Sequence, residues 1–125
     1  MSLLRQLIIT TALAAATQMA FADTANDEKM KKLAAYAGCF TCHTIEHKDN
    51  PDGSKPIGPA WKDVAEQYRG KPGATDFLVR VVQEGSNPYS SHWKNRVTGI
   101  AMPPNAVAIS ANDTRQLVSW VLSLK

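Results

Sequence analysis

The stretch Cys39-Phe40-Thr41-Cys42-His43 decides how the rest of this sequence is interpreted. It has the form C-x-x-C-H, the signature of covalent haem attachment. Two thiols three positions apart can reach the two vinyl groups on one edge of a porphyrin, and the adjacent histidine is then held beneath the iron. The motif therefore predicts one covalently bound haem c per chain, with Cys39 and Cys42 as thioether attachment points and His43 as the proximal iron ligand.

Two other kinds of site also use paired cysteines. A thioredoxin-like redox pair is expected in a βαβ context, and no convincing strand pattern occurs in this sequence. A zinc site needs four ligands, which the two cysteines and three histidines would supply only at unusual spacing. The spacing therefore favours haem.

A haem iron with a proximal histidine needs a second protein ligand or an open face, and this choice separates carriers from catalytic or gas-binding haem proteins. Met102 lies in the proline-stiffened loop Ile100-Ala101-Met102-Pro103-Pro104-Asn105, far enough along the chain from His43 to reach the opposite haem face. A thioether ligand raises the reduction potential relative to His/His ligation. Met102 is thus the predicted second axial ligand, while Met30 is expected in the core.

The first 22 residues have the pattern of a cleaved secretory signal. Arg5 supplies a basic start, Leu7 to Ala16 is uncharged and apolar, and Ala20-Phe21-Ala22 precedes Asp23. The apolar run is interrupted too often to span a bilayer. Export to the periplasm is therefore expected, with residues 23–125 forming one domain.

Charge gives little support to nucleic-acid binding. Residues 23–125 carry 13 basic and 11 acidic side chains, or a net +2, because only Arg5 of the 14 Lys and Arg residues precedes Asp23. The densest basic group, Lys29, Lys31 and Lys32, follows Asp27 and Glu28. A nucleic-acid surface would show stronger clustering.

The hydrophobic pattern predicts an all-α protein of about four helices joined by long loops. Apolar stripes at helical spacing occur in four places: Met30 to Ala37 ending at Gly38, about Ala60 to Tyr68, a helix opening near Thr75 or Asp76 and closing at Gly85, and Ser110 to the chain end. Thr75 or Asp76 is expected to cap the third helix, and Ser110 with Asp113 forms a capping-box pattern for the fourth. The segments 46–59 and 86–105 are expected to be loops.

These motifs together resemble the small bacterial class I cytochromes c, short electron donors to periplasmic nitrite reductases and terminal oxidases. The resemblance rests on the C-x-x-C-H motif, Ile57-Gly58-Pro59-Ala60-Trp61, Met102-Pro103-Pro104-Asn105 and the C-terminal helix ending Trp120-Val121-Leu122-Ser123-Leu124-Lys125. It implies a fold wrapped on one haem, with His43 and Met102 axial. It also implies that the Pro59 carbonyl accepts a hydrogen bond from the proximal histidine, which orients that ring.

Two loops depart from the family pattern, namely 46–55 and 90–98. The second loop could bring His92 to the distal side of the haem, where it would compete with Met102. We nevertheless expect His92 to be a solvated loop residue, and we expect His47 to be exposed. Trp61 and Trp93 are candidate neighbours of the haem propionates.

The predicted function is one-electron transfer by a non-enzymatic, monomeric carrier between a membrane complex or dehydrogenase and a reductase or terminal oxidase, without stable membrane insertion. The alternatives are a haem enzyme or gas-binding protein with an open distal face, and a haem subunit of a larger complex.

Overall fold

The computed structural model describes residues 23–125, and the predicted signal segment lies outside them. Within the described part of the chain there are four α-helices and no strand, as the hydrophobic pattern predicts. The helices are α1 (23–36), α2 (Trp61–Tyr68), α3 (Ala74–Glu84) and α4 (Ala111–Ser123), with a short 3-10 helix at Cys39–Thr41.

Helix α1 buries the apolar stripe that its sequence predicts. Met30 is 2 % exposed and Ala34 is fully buried, while Leu33 and Ala37 pack against the same core. Met30 is therefore a core residue, as expected. The helix gives way to Gly38, whose φ of 76° lies in the left-handed region that glycine adopts without a Cβ penalty.

Helix α3 begins differently from the prediction. Neither Thr75 nor Asp76 caps it: the helix starts at Ala74 behind Gly73, and no side chain bonds its free amides. The reason is the tight turn before it, in which Ala74 N donates to Lys71 O and Gly73 has a φ of 74°. That turn places Thr75 and Asp76 within the first helical turn, where Asp76 favours the helix start through its charge and not as a cap. Gly85 ends the helix as predicted.

Helix α4 has the predicted capping box. Ser110 Oγ accepts from Asp113 N at 3.1 Å and donates to the Asp113 carboxylate at 2.8 Å. The helix packs against α2 and α3. The buried face of α4 contributes Leu117, Trp120 and Val121 to the hydrophobic core. Met30 and Ala34 of α1 belong to the same core.

Polar side chains form joints between the helices, including an ion pair of Arg115 in α4 with Asp76 in α3 at 2.8 Å. Trp120 Nε1 donates to Asp27 at 2.7 Å and links α4 to α1. Gln83 of α3 donates to the fully buried Thr114 of α4 at 2.7 Å and to Ile109 O at 3.0 Å. Arg69 after α2 donates to two carbonyls at the end of α4, those of Leu122 and Leu124.

In residues 23–125, no helix has both the length and the apolar character that crossing a membrane requires.

Candidate functional site

The C-x-x-C-H motif forms a compact turn at the end of α1. Thr41 N donates to Gly38 O, and both Cys42 N and His43 N donate to Cys39 O, at 3.1 to 3.2 Å. Side chains three residues apart in a 3-10 turn are eclipsed, so Cys39 and Cys42 lie on the same side of this turn. Both cysteine side chains are half-buried, and burial raises the pKa of the Cys39 thiol.

The His43 ring is held in a defined orientation by the Pro59 carbonyl, 2.7 Å from Nδ1. Because a carbonyl oxygen only accepts, Nδ1 carries a proton, and in the neutral ring Nε2 therefore keeps its lone pair. Burial lowers the pKa of His43 below its ordinary value, although the Pro59 bond opposes the shift. The neutral imidazole with a free Nε2 is the form that binds a metal.

Segment 57–62 runs beside the motif and supports this ring. Gly58 N donates to Cys42 O at 2.8 Å and Trp61 N to Thr44 O at 2.9 Å. A Cβ at Gly58 would lie 2.8 Å from His43 Cε1, so only glycine allows the backbone to approach the ring this closely. Trp61 also lies against this ring, with the two ring centroids 6.0 Å apart and the ring planes inclined by 26°.

Trp61 and Trp93, the two candidate propionate neighbours, lie in different settings. Trp61 is 6 % exposed and belongs to the core, where it also contacts Phe40 and Trp120. Trp93 is half-buried in the loop 90–98, with the Arg96 guanidinium 4.9 Å from its ring centroid.

The Met102 loop is attached to the end of α3. Met102 N donates to Ser86 Oγ at 2.8 Å and Ser86 N donates to Met102 O at 2.9 Å, a reciprocal pair that fixes the backbone of Met102. Asn105 N donates to Val82 O at 2.9 Å and continues the attachment. Sequence reasoning missed Ser86, since nothing local marks a serine as the partner of a residue 16 positions away.

His92 and His47 are both exposed, as expected for solvated loop residues. The His92 ring lies against Tyr68, with centroids 5.7 Å apart. His47 Nδ1 bonds the Asp63 carboxylate at 2.9 Å, which raises the pKa of His47. In the described residues, no three His, Cys, Asp or Glu side chains are grouped to hold a metal ion.

The chemistry of the predicted ligands suits a haem rather than a bare metal ion. The set consists of two thiols on one side of a turn, a neutral imidazole with a free Nε2, and a thioether in a separately anchored loop. Thiols of this spacing attach a porphyrin, and imidazole and thioether are ligands of haem iron.

Comparison with known proteins agrees with this chemistry. The family model for Cytochrome c matches residues 28–125. The chain is similar to cytochrome c-551 of Allochromatium vinosum, with 39 % identity over 92 residues that cover 74 % of this chain and 82 % of the relative. It is also similar to cytochrome c-551 of Pseudomonas aeruginosa, with 36 % identity covering 88 % and 90 % of the two chains.

Solved structures show the same likeness. The crystal structure of wild-type Nitrosomonas europaea cytochrome c552 has a TM-score of 0.59 and 36 % identity, and the match covers 76 % of this chain and 99 % of that one. With its all-α fold and one covalently attached haem c per chain, this protein belongs to the cytochrome c family and functions in haem-based electron transport.

Proposed function

We propose that this protein is an exported one-electron carrier in which Cys39 and Cys42 hold the haem and His43 and Met102 are its axial ligands. The observation that carries the proposal is the separate anchoring of the two ligand residues. His43 is oriented by the Pro59 carbonyl, and the Met102 backbone is fixed by Ser86 at the end of α3. Two ligands held by different elements favour iron that stays six-coordinate in both oxidation states.

The haem and the groups around it have distinct roles in this proposal. The haem supplies a reversible one-electron iron couple. The Pro59 carbonyl increases the basicity of the His43 imidazole through Nδ1, while the Met102 thioether favours ferrous iron. Trp61 shields the His43 ring from water. We also propose that Trp61 and Trp93 lie beside the haem propionates. No substrate pocket is needed, so the protein acts as a carrier rather than an enzyme.

Docking would use an apolar surface near the attachment motif. Phe40 lies between the two cysteines and is 39 % exposed, and Ile57 and Ile100 are 50 % and 81 % exposed. Of the lysines that could bias orientation, Lys31 pairs with Glu28 and Lys55 with the Asn95 carbonyl. Lys94 is a third candidate and is exposed. The mature charge of +2 falls to +1 with a ferric haem and two ionised propionates, so apolar contact would dominate transient docking.

The proposed partners are redox proteins, a membrane complex or dehydrogenase as donor and a reductase or oxidase as acceptor. The compartment is the periplasm, because residues 1–22 have the pattern of a cleaved signal.

Absorption spectroscopy of the haem-loaded protein tests the ligand assignment. The oxidised wild type should show the weak far-red band of sulfur-to-iron ligation, and the reduced protein should bind carbon monoxide poorly. Met102→Ala should abolish the band, open the iron to carbon monoxide and lower the reduction potential. Met30→Leu is the matched control, since Met30 is a buried core residue and its replacement should leave the band intact.

Two results would contradict the assignment. A wild type without the band, or with rapid carbon monoxide binding, would favour the open-faced haem protein. A Met102→Ala spectrum identical to that of the wild type would point to His92, which His92→Ala would then test.

A further inference from the structure

The two loops that depart from the family pattern are joined to each other. Thr98 N donates to Pro56 O and Gly99 N to Ile57 O, both at 2.9 Å, and Lys55 Nζ donates to Asn95 O. Residues 55–57 and 95–99 therefore form a hydrogen-bonded clasp between the end of one loop and the end of the other.

The clasp is closely fitted. A Cβ at Gly99 would lie 2.5 Å from Ile57 O, closer than real Cβ contacts, so the approach of the two backbones requires glycine. Asn95, whose carbonyl Lys55 engages, has a φ of 67° and is the only residue other than glycine at positive φ among residues 23–125. A strained backbone of this kind persists where its surroundings hold it in place.

The clasp lies between the supports of the two proposed iron ligands. Ile57 directly precedes Gly58 and Pro59, which contact the motif through Cys42 O and His43 Nδ1. Gly99 stands three residues before Met102. The Met102 loop is thus attached at one side to α3 through Ser86 and at the other to the segment that orients His43.

We propose that the clasp is a positioning device for Met102, which keeps the methionine loop closed and limits its release from the iron. The inference rests on the proposed ligation by Met102. For an external ligand to replace the thioether, the loop must move away, and the bonds at Thr98 and Gly99 must loosen with it. Breaking the clasp should therefore speed ligand replacement on the haem.

Imidazole binding to the oxidised, haem-loaded protein measures this opening, because imidazole must displace the methionine. Gly99→Ala should raise the binding rate about three- to tenfold, the effect of weakening one or two backbone hydrogen bonds. Asp27→Ala is the control for stability alone. It disrupts the joint between α1 and α4, so its imidazole rate should remain that of the wild type.

A second pair of variants keeps the test valid if Gly99→Ala fails to fold or to load haem. Lys55→Ala removes one bond of the clasp and one positive charge. Lys48→Ala removes the same charge from the same loop, but no hydrogen bond links Lys48 to residues 55–57 or 95–99. Lys55→Ala should bind imidazole about twofold faster than Lys48→Ala, as expected for loss of an exposed hydrogen bond.

The outcomes separate the clasp from the proposed function. If the wild type has the far-red band but Gly99→Ala binds imidazole at the wild-type rate, or Lys55→Ala behaves like Lys48→Ala, the clasp does not position Met102. An equal acceleration in Asp27→Ala would also overturn it, because general loss of stability would then explain the effect. If the wild type lacks the band, the ligation fails and the clasp proposal fails with it.

Discussion

Gly58 shows how a single missing Cβ controls the position of His43, the proposed proximal ligand. Its backbone lies against the His43 ring and bonds Cys42 O, so any side chain there would push on the ring itself. Since the His43 bond to Pro59 O depends on where the ring lies, Gly58 acts on the proposed iron ligand through the orientation of its ring.

Gly58→Ala should raise the reduction potential. Its Cβ would displace the ring and weaken the bond to Pro59, which makes the imidazole less basic and stabilises ferric iron less. If the stabilisation of ferric over ferrous iron falls by about 1 kcal/mol, the reduction potential rises by roughly 40 mV. Redox titration of the wild type and variant measures the shift.

Gly70→Ala is the matched control for Gly58→Ala. Gly70 has a φ of 74° with open space around it, so alanine there should cost about 1 kcal/mol of unfolding free energy through backbone strain and leave the potential unchanged. A potential in Gly58→Ala equal to that of the wild type would show that the ring tolerates the added methyl group.

At the scale of the helices, the site is placed by where each helix starts and stops. Helix α1 ends at Tyr36, and Gly38 then leads into the motif. Helix α3 ends before Gly85, which places Ser86 beside Met102. Helix α4 begins at Ser110, after the methionine loop. Helix ends thus determine where both proposed ligand segments begin.

Ser110→Ala should lower the unfolding free energy by about 1 kcal/mol, because Asp113 N would lose its capping acceptor. In a domain of this size the melting temperature should fall by about 4 to 8 °C. Thermal unfolding of the haem-loaded protein, followed by circular dichroism, measures it. Ser119→Ala, an exposed change within the same helix, is the control and should not lower the melting temperature. Equal melting temperatures for the two variants would contradict a capping role.

The helices were predictable because the signal for each is local. Apolar residues three and four positions apart mark a buried face, and Ser110 with Asp113 marks a helix start. The start of α3 was mispredicted because it depends on a turn with glycine in the left-handed region, which competes with side-chain caps. The C-x-x-C-H motif was local as well, whereas the Ser86 and Asp63 contacts join residues 16 positions apart and leave no local pattern.

At the scale of the whole molecule, the joint between the first and last helices closes the fold. Asp27→Ala should cost about 1–3 kcal/mol of unfolding free energy, because the nearly buried Trp120 N–H would lose its acceptor. Denaturant titration measures the cost. Asp27→Asn is the matched variant, since it removes the same charge but keeps an accepting oxygen, and it should recover most of the loss. If the two variants are equally destabilised, the charge of Asp27 matters more than its hydrogen bond.

The contact between His47 and Asp63 joins the loop 46–55 to α2. The Asp63 carboxylate also lies 4.0 Å from the Arg96 guanidinium of the loop 90–98. The hydrogen bond to Asp63, followed by its negative charge, raises the pKa of His47 above its ordinary value. A raised pKa means that the folded protein binds this proton more tightly than the unfolded chain. The stabilisation is therefore complete below the unfolded pKa of about 6.5 and disappears as the pH rises through the folded pKa.

His47→Gln should consequently lose stability relative to the wild type in acid but not in alkali. Because other groups also titrate, the informative quantity is the difference in denaturation midpoint between the two proteins, measured at about pH 5.5 and about pH 9. The wild type should have the higher midpoint at the lower pH, and the difference in midpoint should disappear at the higher pH. It should be small, since the pair is exposed and screened by solvent. A gap that is constant or grows with pH would mean that protonated His47 does not hold the loop to α2.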